Sequence, residues 1–434
     1  MKKFLDWLEK YFVPVAGRIG AQRHLVAIRD GFVSIMPLIL AGSLAVLLNN
    51  TLFQWIPALG FLSGINGNVW WGTFAIMTLL VVFSIGYHLA KGYGVDALAA
   101  GLIAVGSFIT VTPQAFGDAG WGFLHWGYLN AGGLFTGIIV ALISTEIFSQ
   151  LRRRNIIIKM PESVPPAVGK AFAAVIPGCA ALFFFGIVGF IITTAGANSL
   201  HDIIFNTIQK PLQGFGQNLG SAIMLAVMLN VFWFFGLHGG NIMDPIIQTI
   251  YMPAVAANAD AVQQGLMAPN IITKAFFDSF VHIGGCGATL ALIIAILITT
   301  RKRREYREVA KLGVSFGIFN INEPIMFGLP IILNPILLIP FIITPAILTT
   351  VAYIATVTGL VPPTYILTPW ITPVGISGFL ATGGSIMGGI LSVVNFVIAV
   401  LIYLPFVKLA DRMAEKTPEE LSGKSSKASL EQSM

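Results

Sequence analysis

Apolar residues arrive in blocks of about 20, the length that crosses a bilayer's hydrocarbon core as a helix, and charge is concentrated between the blocks and towards their ends. The blocks cover approximately 28–49, 72–90, 97–112, 132–151, 172–196, 220–237, 282–300, 331–358 and 386–408. A backbone in hydrocarbon must satisfy its own hydrogen bonds, which leaves helices as the solution for segments of this length. The chain is therefore read as an all-α polytopic membrane protein embedded in the lipid bilayer. Composition agrees. Of 434 residues, 56% are hydrophobic and 10% charged, against roughly a quarter charged in soluble domains.

The connections sort by charge. Those at 50–71, 113–131 and 359–385 hold no Lys or Arg, and 197–219 holds only Lys210. They carry aromatic residues instead, among them Trp55, Trp71, Trp126 and Trp370. Set against them are Arg18, Arg23 and Arg29, the runs Arg152–Arg154 and Arg301–Arg304, and Lys408 with Arg412. Cytoplasmic loops carry the excess of Lys and Arg, which places both termini in the cytoplasm. The net charge of +6 is thus a topology signal, and no nucleic-acid partner is inferred from it.

Phe4, Leu8, Tyr11, Phe12 and Val15 recur at helical spacing among charged residues. Residues 1–27 therefore read as an amphipathic cytoplasmic segment and not a cleaved signal peptide. Residues 413–434, rich in Ser, Lys and Glu, read as a disordered cytoplasmic tail.

Parity then constrains the irregular parts. Six crossings from a cytoplasmic start return the chain inside near His238, and the run at 301–304 is also inside after 282–300. One more crossing must lie within 238–281, as a short or broken span around 245–257 followed by a loop returning into the membrane. By the same logic 313–330 must enter and leave on one side, as a re-entrant hairpin. The expectation is about ten transmembrane helices with two re-entrant segments. Irregular backbone at that depth must be buried in protein or line a cavity, so these segments are where a site is sought. The basic connection 152–171 separates an N-terminal half (28–171 and the following span to about 196) from a C-terminal half (197–412).

Two stretches carry chemistry. In the first, Trp233 precedes His238-Gly239-Gly240-Asn241 and Pro245. The glycines free the backbone to leave helical geometry and Pro245 discourages its continuation. His238 and Asn241 then offer hydrogen bonds to a polar ligand, the plainer reading being a histidine satisfied by a carbonyl at a helix end. In the second, Asn320, Asn322 and Glu323-Pro324 occupy the inferred hairpin. A carboxylate at membrane depth costs roughly 2.5–3.5 kcal/mol on insertion scales and marks function by default; a hairpin cap or structural ion pair is the alternative. Pro324 biases Glu323 away from helix, so Glu323 should project from a bend.

Other polar residues weigh less. Asp278 and His282 read as an interfacial cap, and Lys91, Asp96, Glu146 and Lys170 as solvated or snorkelling side chains near span ends. Trp370 is an interfacial belt residue or a platform for a sugar ring. Cys179 and Cys286, both in apolar runs, read as buried inert thiols. No metal-ligand spacing and no cofactor motif is present.

GLHGGN at 236–241, NEPIMFGLP at 322–330 and the amphipathic N-terminus resemble the EIIC subunits of lactose/cellobiose/diacetylchitobiose phosphotransferase systems, over nearly the whole chain. The resemblance implies a bacterial cytoplasmic-membrane transport subunit with ten spans and two hairpins. It further implies a homodimer built from the N-terminal half and a sugar held deep in the C-terminal half. The family's essential His and Glu fall on His238 and Glu323, and its sugar-contacting tryptophans on Trp233 and Trp370. Asn241, Asn320 and Asn322 would supply polar contacts to hydroxyls. Function would be group translocation: a disaccharide (cellobiose or diacetylchitobiose, with lactose also open) moves inward and is phosphorylated on its 6-hydroxyl. The donor is a phosphocysteine on a separate cytoplasmic EIIB, recharged through EIIA, and the chain carries no phosphorylated residue of its own. Glu323 would be hydrogen-bond partner or general base for that hydroxyl, and His238 would orient it or stabilise the phosphoryl charge. A proton-coupled sugar symporter with Glu323 as proton carrier, and a passive sugar channel, are the readings the residues leave open.

Overall fold

The computed structural model describes residues 11, 13–117, 120–161, 163–300, 303–329, 331 and 335–413. Residues 1–10 and 12 of the amphipathic segment expected at 1–27, and nearly all of the expected tail, therefore lie outside the described residues. Helix α1 (Val13–Gly20) is followed by α2 (Arg23–Leu47), which starts five residues before the first apolar block. The Gln22 carboxamide accepts from the Leu25 amide at 2.8 Å and fixes that start.

After α2 come α3 (Ser63–Trp71), α4 (Met77–Tyr93) and α5 (Ala97–Val111). An antiparallel hairpin of β1 (Gln114–Gly117) and β2 (Gly120–Leu124) leads to α6 (Trp126–Leu129), α7 (Leu134–Arg153) and α8 (Pro166–Thr194). Small residues let these helices approach closely, as membrane helices require. A Cβ on Gly86 of α4 would stand 2.9 Å from the Ala104 Cβ of α5, and one on Gly137 of α7 would stand 2.7 Å from Thr78 Cγ2. Helices α2, α4, α5 and α7 share one apolar core, which includes Phe32, Ile39, Val81, Phe108 and Ile138.

The remaining elements are α9 (Leu200–Ile204), α10 (Lys210–Gly216), α11 (Leu219–Phe234), α12 (Gly239–Gln263) and α13 (Lys274–Phe280). They continue through α14 (Thr289–Thr299), α15 (Arg304–Ile318), α16 (Glu323–Gly328), α17 (Pro335–Val357), α18 (Ile376–Ala381) and α19 (Ile386–Met413). A second core joins α11, α13, α14, α16, α17 and α19 around Phe276, Phe280, Ile293, Phe341 and Tyr403. Helix α12 belongs to both cores: Ile247 and Tyr251 lie in the second, Met252, Val255 and Ala259 in the first.

Among the described residues, six helices are long and apolar enough to cross a membrane: Arg23–Trp55, Pro57–Tyr93, Ala131–Arg153, Pro166–Thr194, Ile336–Val357 and Ile386–Arg412. The pair Leu200–Gly216 and Leu219–Phe234, bent by 78°, makes a seventh if it is one span. Ala97–Val111 and Cys286–Thr299 are apolar but shorter.

Four expectations need correction. First, 238–263 is not broken. Helix α12 runs through Pro245 and Pro253, since burial between two cores holds a helix that the missing proline donors would weaken in water. Gly239 and Gly240 are its first residues, and the left-handed turn before them is made by Gly236 (φ +76°). Gly239 meets a packing requirement instead: a Cβ there would stand 2.0 Å from the Leu229 carbonyl oxygen.

Second, the stretch expected as an outer connection at 197–219 is largely helical, as α9 and α10. Third, 359–385 does not lie wholly at the surface: Leu360, Trp370, Ile371 and Ile376 are exposed, but the part between them turns inward. Its extended part is buried, with Val361 and Thr364 1% exposed and Ile366 2%. Its backbone is satisfied from inside: the Thr364 carbonyl accepts from Asn258 Nδ2 (2.9 Å) and the Leu367 amide donates to Ser43 Oγ (3.2 Å). Both the Tyr365 and Ile366 amides donate to the Ala381 carbonyl. Lack of Lys and Arg marks an outer loop and a buried charge-free loop alike, so charge could not separate the two. Fourth, Cys179 is exposed on α8 and Cys286 half-buried, so neither is a fully buried thiol.

Candidate functional site

The hairpin inferred at 313–330 takes the form of α15, a tight turn and α16, with Pro330 outside the described residues. Asn320 occupies the turn at φ +61°, a conformation Asn tolerates better than most side chains. Its carboxamide is fully used. Oδ1 accepts from the Gly284 amide (2.7 Å), and Nδ2 donates to the carbonyls of Trp370 (2.6 Å) and Thr372 (3.0 Å). Three irregular segments, 282–288, 319–322 and 368–375, are thereby tied at one point. Glu323 does not hang from a bend as expected; it opens α16, with Pro324 in the first turn where a missing N–H leaves no helix bond unmade.

Across from this tip, His238 caps α12. Its Nδ1 accepts from the Asn241 amide at 3.1 Å, so a neutral ring carries its proton on Nε2. Nε2 stands 3.7 Å from Glu323 Oε1, and both side chains are nearly half exposed (43% and 47%). That separation exceeds a direct hydrogen bond. It leaves both atoms within reach of one hydroxyl seated beside the pair, accepting from Nε2–H and donating to the carboxylate.

Both groups line a pocket of about 390 Å³ that also receives Trp233, Asn241, Asn320, Asn322 and Trp370. All seven residues singled out from the sequence are thus brought to one cavity, although they span positions 233 to 370. They do not sit alike. Trp370 is 48% exposed, whereas Trp233 is 1% exposed, with its ring centroid 4.4 Å from that of His238 and 6.3 Å from that of Phe327. Asn322 is buried and donates to the Cys286 carbonyl (3.3 Å), while Asn241 is exposed.

The sequence reading missed part of the lining. Lys274 and Asp278, one turn apart on α13, form a bidentate ion pair at 2.7 and 2.6 Å with side chains 17% and 10% exposed. Asp244 joins them in the wall, its carboxylate accepting weakly from Gln248 Nε2 (3.3 and 3.4 Å). His282 lines the same wall, stacked on Phe277, and is no interfacial cap. The available signal was Lys274 and Asp278 at i,i+4 beside a run of phenylalanines. Phe32, Val33 and Met36 of α2 close the cavity from the N-terminal part of the chain, and no local pattern announces that.

Comparison with known proteins bears on the whole chain. The sequence pattern of the family described as "Phosphotransferase system, EIIC" matches residues 29–345. A lichenan permease IIC component of Bacillus subtilis is 39% identical, covering 97% of this chain and 96% of its own length. A cellobiose-specific EIIC component of Geobacillus stearothermophilus is 41% identical, again over 97% and 96%. Among solved structures, the transporter ChbC, the IIC component from the N,N'-diacetylchitobiose-specific phosphotransferase system, superposes with a TM-score of 0.88 at 39% identity. The match covers 94% of this chain and 98% of that one. The chain belongs to the EIIC family of the phosphotransferase system.

Proposed function

We propose that this chain binds a disaccharide, cellobiose or diacetylchitobiose ahead of lactose, in the pocket between His238 and Glu323. It carries the sugar inward for phosphorylation on the 6-hydroxyl by the phosphocysteine of a separate EIIB, which EIIA recharges. The observation that carries this reading is the 3.7 Å gap between His238 Nε2 and Glu323 Oε1, set in a cavity rimmed by a half-exposed tryptophan. A sugar hydroxyl bridging these two atoms from the cavity loses its proton to Glu323 as its oxygen attacks phosphorus, and the cysteine thiolate leaves. His238 holds the hydroxyl oxygen during the attack. The names of the relatives, a cellobiose-specific EIIC component, a lichenan permease and an N,N'-diacetylchitobiose-specific IIC component, support cellobiose or diacetylchitobiose.

The proposal includes ten spans, with α12 as the crossing that hydropathy alone passes over, and re-entrant segments at α13–Ala288 and α15–α16. It places both termini and Arg152–Arg154 in the cytoplasm, in a bacterial inner membrane, with a homodimer formed through 28–196 and the sugar held by 197–412. Cysteines placed at positions 61 and 153, on a background lacking Cys179 and Cys286, test the orientation. An impermeant reagent on whole cells should label position 61 only. Labelling at 153 would invert the map.

Burial divides the two tryptophans. Trp370→Ala should weaken disaccharide binding by about 1.5 kcal/mol, roughly tenfold, through loss of an aromatic face. Trp233→Ala should instead destabilise the protein by about 3–5 kcal/mol, as removal of a buried tryptophan does. Calorimetric titration and thermal unfolding of both variants separate these outcomes. Unchanged affinity in Trp370→Ala removes it from the binding site.

Direct binding of cellobiose to the purified chain, followed by phosphorylation that requires phospho-EIIB, tests the function as a whole. Sugar accumulation driven by a pH gradient without any phosphoryl donor would replace it with a symporter.

A further inference from the structure

Away from the sugar pocket, a polar cavity of about 700 Å³ lies between the α4–α5 turn, the basic end of α7 and the start of α8. Its cations are Arg152, Arg153 and Lys170. Among the described residues, none of the three has a carboxylate within 4.0 Å. Arg153 lies over the Tyr93 ring at 5.5 Å, and Arg23 holds the ring from 4.1 Å. The one acid in the lining, Asp96, is occupied: its Oδ1 accepts from the Ala99 amide (3.1 Å) as the cap of α5.

Three cations with no carboxylate partner among the described residues, around a concave polar surface, ask for an anion with several acceptor oxygens. The surroundings say which source supplies it. The helices that wall the cavity run on into exposed apolar side chains, Leu98 and Leu102 (each 59% exposed) on α5, Phe172 (41%) and Ile176 (40%) on α8. These faces fall within 28–196, the part assigned to the homodimer, and in the single chain they leave apolar surface beside the cavity on which acyl chains can lie. Basic pockets between transmembrane helices at the cytoplasmic level bind anionic headgroups in this way.

We propose that the cavity lined by Arg152, Arg153 and Lys170 is a binding site for the phosphodiester headgroup of an anionic phospholipid, with the acyl chains lying against α5 and α8. The site is independent of sugar binding and of the roles given to His238 and Glu323.

The probe is phosphatidylglycerol, compared with phosphatidylcholine by native mass spectrometry on the full chain in uncharged detergent. Wild type should retain phosphatidylglycerol in preference. Arg152→Gln with Lys170→Gln should weaken that retention by about 10- to 30-fold, given about tenfold or less per basic group at a membrane surface. Arg304→Gln with Arg307→Gln, removing the same charge from α15, should leave it unchanged. Equal loss in both double variants reduces the effect to general charge and overturns the site. Inorganic phosphate that displaces the lipid at millimolar concentration would assign the cavity to a free anion. Phosphatidylglycerol retention untouched by Arg152→Gln/Lys170→Gln, with EIIB binding lost, would assign it to a protein. Should the variant fail to fold, photoactivatable phosphatidylglycerol on wild type decides the matter: cross-links must fall on 93–98, 152–157 or 170–176, and their absence there refutes the proposal.

Discussion

Glu323→Gln should leave disaccharide binding within about 1–3 kcal/mol of wild type while EIIB-dependent phosphorylation falls by about 10²–10⁴-fold. The amide keeps the shape and one acceptor oxygen, so a hydroxyl can still bridge it and His238 Nε2. What it lacks is the basicity to take the hydroxyl proton as the oxygen attacks phosphorus. Glu323→Ala should harm both measurements, because it strips the acceptor as well. Glu323 is nearly half exposed to the cavity, and the fold does not rest on it, so purified variants should stay folded. Binding and phosphorylation are measured on the same preparation. Near-normal phosphorylation by Glu323→Gln would remove the general-base role and leave a positioning residue. A symporter gives another pattern, in which Gln abolishes proton-driven uptake yet sugar exchange survives.

The second large effect concerns Lys274 and Asp278, of which the sequence reading named only Asp278, as part of an interfacial cap. Lys274→Ala strands the carboxylate of Asp278, 10% exposed and otherwise held by two ammonium contacts, with Asp244 in the same wall. Breaking a buried pair from one side costs about 3–5 kcal/mol, whereas removing both charges is often close to neutral. Lys274→Ala should therefore lower the unfolding temperature sharply in detergent, and Lys274→Ala with Asp278→Ala should recover most of it. If the single variant is as stable as the double, the pair is no structural element of the pocket wall. Sugar affinity measured on the stable double variant then reports whether these groups touch the ligand.

The membrane class and the long helices were legible because both rest on a local rule. A run of about 20 apolar residues has one way to satisfy its backbone in lipid, and an acid beside a proline in the inferred hairpin between such runs stands out by its cost. Other features were read wrongly for reasons equally local. Pro245 and Gly239 looked like helix breakers because propensity assumes a solvated helix, yet α12 is buried between two cores. The stretch 359–385 looked external because it lacks cations, and a buried loop lacks them too.

Only the tertiary structure decided what each site residue is available to do. Asn320 and Asn322 are alike in sequence. Asn320, however, spends its whole amide tying Gly284, Trp370 and Thr372 together, and that knot sets the position of Glu323. Trp233 and Trp370 are equally aromatic, but one lies beneath His238 at 1% exposure and the other borders the cavity at 48%. The sequence by itself determined that the chain spans a membrane, because that follows from transfer energies along the chain. Which backbone groups each side chain must satisfy, which face stays open to a ligand, and that Phe32, Val33 and Met36 close the cavity from another part of the chain were decided by packing. Contacts between segments 200 or more residues apart leave no periodicity in either segment.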